Sequence, residues 1–202
     1  AQRSEIVSPN TLGSAAAPHL RREGTATQLI VDGAPFLILG GELHNSSSSS
    51  LEYMRPIWQR MLALNANTVL AAVSWELIEP EEGRFDFSLL DGLLRDARGH
   101  GLRLVLLWFG SWKNGMSSYI PLWVKRDSAR FPRARIAGKT AEVLTPLAES
   151  SRDADARAFA ALMAHLREVD GEEHTVLMVQ VENEVGILGD TRDHSILAEQ
   201  VF

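Results

Sequence analysis

The sequence predicts an α/β fold, a parallel (β/α)8 TIM-type barrel of which this chain carries only the first four βα units. Four short apolar runs alternate with segments of helical period, and each connection is long enough for a right-handed crossover. The runs end in polar or aromatic residues and no Gly-rich phosphate loop follows them, which favours a barrel over an open sheet. A closed barrel needs about 250 residues and eight units. We therefore expect the protein to continue beyond Phe202.

Two regions are predicted, an N-terminal arm over residues 1–27 and the N-terminal half of a barrel domain over residues 28–202. The arm mixes Ser, Pro, Ala and Gly without a sustained apolar period. Beyond it, Asp32-Gly33 is typical of a hairpin turn. The apolar run at 36–41 then predicts the first buried strand.

The next unit is predicted from a serine run at 46–50, which is typical of a loop. Ser49 and Glu52 have the spacing of a capping box for a short helical turn. Pro56 suits the first position of the main helix, where its missing N–H costs nothing. The run at 67–73 follows as the second buried strand.

Two further units follow in the same order. Ser88 is the predicted cap of a helix that leads to a third strand at 102–107. A segment at 110–149 is too long for a plain βα loop and is therefore read as an insertion. Ser150 is predicted to start the last long helix, before a fourth strand that ends at Glu184.

Composition limits the classes of function. The 202 residues have a formal charge of −6 without a basic face, which argues against nucleic acid or a membrane as partner. The absence of cysteine excludes a thiolate nucleophile or a thiolate metal site. A chain that starts at Ala1, without Met, has the form of an end left by signal cleavage. This predicts a periplasmic or secreted protein, with a cytoplasmic location as the alternative.

The pair Asn183-Glu184 is the strongest candidate for catalytic equipment. It follows the apolar run at 175–179, which has no polar face and is typical of a strand buried by helices on both sides. In barrels of this kind, reactive side chains gather at the carboxyl ends of the strands. A strand end that merely turns polar at the surface is the alternative for a lone glutamate.

Four sequence blocks together resemble the retaining β-galactosidases of glycoside hydrolase family 35, with family 42 also similar. They are Asn-Thr-Val at 67–69, Trp75, the Glu-Pro-rich block at 78–87 and Gln-Val-Glu-Asn-Glu-Val-Gly at 180–186. The blocks stand in the family's order and span most of the chain. The resemblance implies that this chain is the N-terminal half of that family's catalytic barrel.

The resemblance implies roles for the residues of the last block. Glu184 would be the general acid/base, because a carboxyl group in a partly desolvated pocket keeps its proton nearer to neutral pH. Asn183 would present its amide to the sugar 2-hydroxyl. Glu182 is interpreted as a structural carboxylate in the wall of the site. The family's nucleophile lies at the end of the seventh strand, which we expect beyond Phe202.

Further substrate-binding candidates stand at the ends of the other strands. Their polar groups suit sugar hydroxyls and their rings suit the C–H face of a pyranose; they are Glu42, His44, Trp75, Trp108, Trp112 and Asn114. For His44 the alternative is a structural hydrogen bond, and for Trp75 it is packing. The string at 108–114 departs from the Tyr, Cys, Ala, Glu, Trp series of typical family 35 members, which puts galactose specificity in question.

The predicted function is that of a retaining exo-β-galactosidase that removes terminal β-D-galactosyl residues without a cofactor or a metal. One alternative is a catalytically incomplete carbohydrate-binding protein on the same barrel. Another is a β-glycosidase of other sugar specificity. A metal-dependent lyase using Glu42, His44 and Glu184 is disfavoured, because these residues lack a recognised ligand spacing. We also expect the 202-residue piece to fold poorly alone.

Overall fold

The structure is a computed structural model and describes residues 16–202. Strands and helices alternate along this part of the chain. The strands are β1 (His19–Glu23), β2 (Ala26–Val31), β3 (Ala34–Pro35), β4 (Gly40–Glu42), β5 (Thr68–Ser74), β6 (Arg103–Phe109), β7 (Arg133–Ile136), β8 (Lys139–Leu144) and β9 (Val176–Val181). The helices are α1 (Leu51–Ala63), α2 (Trp75–Ile78), α3 (Ser88–Gly99), α4 (Leu122–Arg126), α5 (Glu149–Asp170) and α6 (Ile196–Val201).

A four-stranded parallel sheet in the order β4-β5-β6-β9 is the centre of the fold. Its middle strands are apolar on both faces, and their side chains are fully buried at Val69 and Leu104. Helix side chains such as Trp58, Leu93 and Leu162 join the same core. The α/β fold with a parallel sheet is thus confirmed.

The first strand of this sheet is shorter than predicted. The run at 36–41 was expected to be a buried strand, but β4 covers only Gly40–Glu42, and Leu37 and Leu39 are 76% and 52% exposed. The Asn67 side chain holds this stretch instead, accepting from Leu39 N and donating to Leu37 O. No strand pairs with the outer edge of β4 in residues 16–202, so nothing buries the apolar side chains there.

The predicted start of α1 at Pro56 is wrong, because the helix starts earlier in the chain. The helix begins at Leu51, capped by Ser50, whose Oγ accepts from Tyr53 N at 3.2 Å. Ser49 instead donates its hydroxyl to Ser46 O in a 3-10 turn. Pro56 therefore lies inside the helix. There it removes one intrahelical hydrogen bond, and its ring crowds the preceding turn.

Two other predicted caps are also wrong. Helix α3 does begin at Ser88, but Asp86 supplies the acceptor for Ser88 N at 2.9 Å. Helix α5 begins one residue before Ser150, whose hydroxyl donates to Arg130 O across the insertion. At α3 an acceptor from outside the helix thus takes the place of the predicted cap, whereas α5 has Ala148 as its N-cap residue, without a side-chain cap.

The N-terminal part forms a separate antiparallel sheet in the order β1-β2-β3. The predicted hairpin turn is confirmed, with φ values of 50° and 81° at Asp32 and Gly33. Asp32 also accepts from His174 at 3.0 Å and from Arg103 at 2.5 Å, and the hydrogen bond from His174 is the largest cause of its lowered pKa. The small sheet is therefore tied to the N-terminal ends of β6 and β9, opposite the predicted site.

The boundary predicted at residue 27 falls inside β2, and residues 1–15 of the predicted arm lie outside the described part.

The insertion at 110–149 folds over the carboxyl ends of the central strands. It contains α4 and the hairpin of β7 and β8. Its first residues follow β6 directly and lie against the segment that follows β9. Between residues 16 and 202, no helix has the length and apolar character needed to cross a bilayer.

Candidate active site

The candidate site lies where β6 and β9 end side by side. Trp108 pairs with Val181, the last residue of β9, so the fourth strand ends three residues earlier than predicted. Glu182 and Glu184 then adopt left-handed backbone conformations, with φ of 62° and 50°. Side-chain directions at 182–184 are therefore set by a turn rather than by the alternation of a strand.

The segment at 111–116 holds the 182–184 segment in place. Four hydrogen bonds join them: Ser111 N to Glu182 Oε1 at 3.2 Å, Trp112 N to Glu182 Oε2 at 2.8 Å, Lys113 Nζ to Asn183 Oδ1 at 2.6 Å, and Gly115 N to Glu184 O at 3.1 Å. We call these two segments the clamp loop (111–116) and the acid loop (182–184). Each of the three acid-loop residues thus has a fixed partner in the clamp loop.

Glu182 is paired with a second carboxylate in the wall of the site. Asp155 of α5 is 8% exposed and accepts from Trp108 Nε1 at 2.9 Å and Ser111 N at 2.7 Å. Burial, followed by the hydrogen bond with Asp155 and its charge, raises the pKa of Glu182 to about 9, against the opposing backbone N–H donors of Trp112 and Ser111. Glu182 therefore carries a proton at neutral pH, which lets the two carboxyl groups lie together.

Glu184 contrasts with Glu182. It is exposed, and its side chain has no hydrogen-bond partner in residues 16–202, although its carbonyl is fixed by Gly115 N. Residues two apart on an extended strand share a face, so a strand would have placed the two glutamates on the same side. Their different burial follows instead from the left-handed backbone at both positions. The carboxyl of Glu184 is therefore free to come within hydrogen-bond reach of a bound ligand, but the described residues do not form the partly desolvated pocket expected around it.

Two of the predicted tryptophans have no exposed ring face. Trp75 is fully buried, donates Nε1 to Glu79 Oε2 at 2.8 Å and packs edge-on against Trp123. Trp108 is also fully buried and is held by Asp155. The expectation that these rings stack on a sugar is corrected, because their faces are covered by the core. Both rings instead belong to the packed core next to the strand ends.

Trp112 and Asn114 do lie in the site, within the clamp loop. Trp112 is 7% exposed and packs against Ala134 and Val143 of the insertion's hairpin, so the expectation that its ring stacks on a sugar is corrected as well. Asn114 is exposed, in a left-handed conformation with φ of 55° at the tip of the loop. The structure thus brings these two residues close to Asn183 and Glu184.

Glu42 and His44 lie apart from that group. Both are exposed at the end of β4, and β5 and β6 separate that strand from β9. Three strand spacings correspond to roughly 14 Å. No group of three or more His, Cys, Asp or Glu side chains within the described residues could hold a metal ion. The three ligands required by the metal-dependent alternative therefore do not converge.

Sequence reasoning gave no site role to Asp155 and Gly110, and it did not foresee the bond between Lys113 and Asn183. Asp155 follows Ala154 on the buried side of α5, and a charge on an apolar face is a detectable signal of a buried partner. A Cβ on Gly110 would lie 2.4 Å from Glu182 Oε1, and the glycine directly after a strand was the available signal. Lys113 had no local signal, because its partner is 70 residues away.

Comparison with known proteins identifies the family of this chain. The family model of the glycoside hydrolase 42 β-galactosidases matches residues 47–202. The chain belongs to the β-galactosidase-type glycoside hydrolases. A β-galactosidase of Xanthomonas manihotis is 30% identical over 86% of this chain and 27% of its own length. This confirms the predicted resemblance to β-galactosidases.

Two further proteins are similar. The human β-galactosidase-1-like protein 3 is 43% identical over 29% of this chain and 9% of its own length. The exo-β-1,4-mannosidase Op5Man5 of Opitutaceae bacterium strain TAV5 aligns with a TM-score of 0.53 at 21% identity, covering 76% of this chain and 26% of that chain. The second likeness supports the α/β fold. The chain spans about a quarter of the length of the Xanthomonas relative.

Proposed function

We propose that this chain supplies the acid/base half of a retaining exo-β-galactosidase. The observation that carries the proposal is Glu184, an exposed carboxyl whose backbone is fixed by the clamp loop at the mouth of a parallel sheet. In the first step Glu184 protonates the leaving glycosidic oxygen. In the second step it removes a proton from the water that releases the sugar.

A retaining mechanism also requires a nucleophilic carboxylate about 5–5.5 Å from the acid/base. The resemblance assigns it to the seventh strand of a barrel, whereas the parallel sheet of residues 16–202 has four strands. The Xanthomonas relative is more than three times as long as the matched region. We propose that the nucleophile belongs to a region outside these 202 residues, in the remaining half of the same barrel.

The substrate would be a carbohydrate held beside Glu184. Asn183 would donate its amide N–H to the 2-hydroxyl, and the exposed clamp-loop residue Asn114 would border the same sugar. Trp112 would hold the clamp loop in place through its packing on the hairpin. Glu42 and His44 stand at the same end of the sheet, so barrel closure would direct them towards it. No part of this chemistry draws on a metal or an organic cofactor.

A β-glycosidase of other sugar specificity is the second candidate. The specific observation in its favour is the clamp loop, in which Lys113 and Asn114 stand where typical family 35 members carry other residues. Asn114 is exposed beside the acid loop, so it would contact the hydroxyls that distinguish galactose from its epimers, while Lys113 would act through Asn183. A panel of aryl β-glycosides separates the two candidates.

The decisive experiment compares Glu184→Ala, Glu184→Gln and Glu168→Gln in the protein expressed from its complete reading frame. Glu168 is the control, because it is exposed and lies near the C-terminal end of α5, whereas Asp155 at the site lies near the N-terminal end. With phenyl β-galactoside, both Glu184 variants should lose about 10²- to 10⁴-fold in kcat/KM, as expected when a general acid is removed. The loss should be much smaller with 2,4-dinitrophenyl β-galactoside, whose leaving group needs no proton.

Azide provides a specific signature for the second step. It attacks the glycosyl-enzyme without needing a general base, so Glu184→Ala with the dinitrophenyl substrate should form β-galactosyl azide, and Glu168→Gln should not. Equal losses on both aryl substrates without azide product would remove Glu184 from the acid/base role. Release from no aryl glycoside by the wild-type protein would support the non-catalytic carbohydrate-binding alternative.

A further inference from the structure

Lys113 is a buried cation without an acidic partner in the described part of the chain. It is 8% exposed, and no carboxylate lies within 4.0 Å of its ammonium group among residues 16–202. Its Nζ donates to Asn183 Oδ1 at 2.6 Å and lies 4.8 Å from the centre of the Phe109 ring. The hydrogen bond of a buried charge is therefore directed to one amide oxygen.

This contact determines which end of the Asn183 carboxamide faces outward. An ammonium group only donates hydrogen bonds, whereas a carboxamide accepts at its oxygen and donates at its nitrogen. Rotating the amide by 180° would bring the Asn183 NH₂ group to the position now 2.6 Å from the Lys113 ammonium group. Two hydrogen-bond donors would then face each other without an acceptor. The Asn183 oxygen is thus held against Lys113, and its NH₂ group is left for another partner.

The position of Lys113 is itself fixed by its backbone. Lys113 N donates to Met116 O at 2.7 Å and Met116 N donates back to Lys113 O at 3.0 Å. Gly115, inside the turn that these bonds close, donates to Glu184 O. The same short turn therefore holds the amide of Asn183 and the backbone of the proposed acid/base in a constant relation.

We propose that Lys113 is a positioning residue that presents the Asn183 NH₂ group to the 2-hydroxyl of the sugar, and so makes this site selective for glycosides with an intact 2-hydroxyl. The nearby positive charge also polarises the amide and strengthens its N–H as a donor. The inference rests on the proposed function for its substrate class. It goes beyond that function by assigning the selectivity to a residue that does not touch the sugar.

The test measures discrimination rather than activity alone. The ratio of kcat/KM for 4-nitrophenyl β-galactoside to that for its 2-deoxy analogue is determined for the wild type, Lys113→Met, Lys113→Arg, Asn183→Ala and the double variant Lys113→Met/Asn183→Ala. Lys139→Met, on the exposed hairpin strand β8, is the matched control. Each variant is checked for an unchanged thermal transition.

The ratio should fall about tenfold or more in Lys113→Met, the scale expected for a hydrogen bond to a charged group. The ratio should fall no further in the double variant than in Asn183→Ala, because both substitutions remove the same interaction between the Asn183 amide and the 2-hydroxyl. Lys113→Arg should retain most of the ratio and Lys139→Met all of it. If Lys113 acted through packing alone, Lys113→Met would lower kcat/KM for both substrates by the same factor. An unchanged ratio in Lys113→Met would therefore overturn the inference.

A second measurement keeps this outcome separate from failure of the proposed function. Calorimetry with galactose and 2-deoxygalactose gives the same discrimination as a ratio of dissociation constants, without turnover. If the wild type hydrolyses no galactoside but its binding ratio falls in Lys113→Met, the positioning role stands and the proposed function fails. If the wild type shows no preference for galactose over 2-deoxygalactose in either measurement, the positioning role fails.

Discussion

Replacing Gly110 by alanine should disrupt the site more than any other single methyl group added to a described glycine. The new Cβ would lie 2.4 Å from Glu182 Oε1, 2.4 Å from Trp108 Nε1 and 2.6 Å from Asp155 Oδ1. These three atoms belong to the buried hydrogen-bond network between α5, β6 and the acid loop. Because each is held by other partners, none can move away without breaking a bond.

The expected cost has two parts. Overpacking a filled interior costs about 1–3 kcal/mol. Moving Asp155 away would also weaken its hydrogen bond from Trp108, and a hydrogen bond to a charged group contributes about 1.5–3 kcal/mol. The sum is about 4 kcal/mol of unfolding free energy, which for a domain of this size corresponds to a fall of roughly 10 °C in the apparent Tm.

Gly99→Ala is a matched control with the opposite sign. Gly99 ends α3, has no atom within 4 Å of the added Cβ and needs no left-handed backbone. Alanine there should stabilise by about 0.4–1 kcal/mol, because it restricts the unfolded chain and favours the helix. Both variants are measured by thermal and urea unfolding of the protein expressed from its complete reading frame. A Gly110→Ala protein as stable as Gly99→Ala would refute the packing of the acid loop described above.

Two further predictions concern the charge and the edges of the fold. Because the pKa of Glu182 is raised from 4.5 to about 9, its contribution to stability is present below pH 4.5 and is lost progressively as pH rises towards 9; Glu182→Gln should flatten this dependence. The apparent Tm measured from pH 5 to 9 tests it, and equal slopes for both proteins would contradict it. The isolated 202-residue chain should unfold without cooperativity, because Leu37, just before β4, and Val181, at the end of β9, are apolar side chains left exposed at the two outer strands in the described part. A sharp melting transition of the monomer, followed by circular dichroism, would contradict this.

The sequence was most informative where structure depends on near neighbours. The central strands β5 and β6 were located within two residues, because their apolar runs have no polar face and are bounded by turn residues. Helix caps were predicted less well. Neighbouring side chains such as Ser50 and Asp86 accept the hydrogen bonds expected of Ser49 and Ser88, the Ser150 hydroxyl is bonded to Arg130 O, and only three-dimensional distances decide between such partners. The first strand was overestimated because its apolar run has no neighbour to cover it in residues 16–202.

The sequence by itself determined the order of the strand and helix units, the kinship with β-galactosidases and the position of Asn183-Glu184 after a buried strand. These depend on local periodicity and on motifs that are contiguous in the chain. Only the tertiary structure decided that the rings of Trp75 and Trp108 are covered, that Glu182 pairs with Asp155, and that Lys113 fixes the amide of Asn183. The acid-loop contacts of Lys113 and Trp112 join residues 70 positions apart. No local pattern encodes such a pairing, because it arises only when parallel strands bring their carboxyl ends to one edge of the sheet.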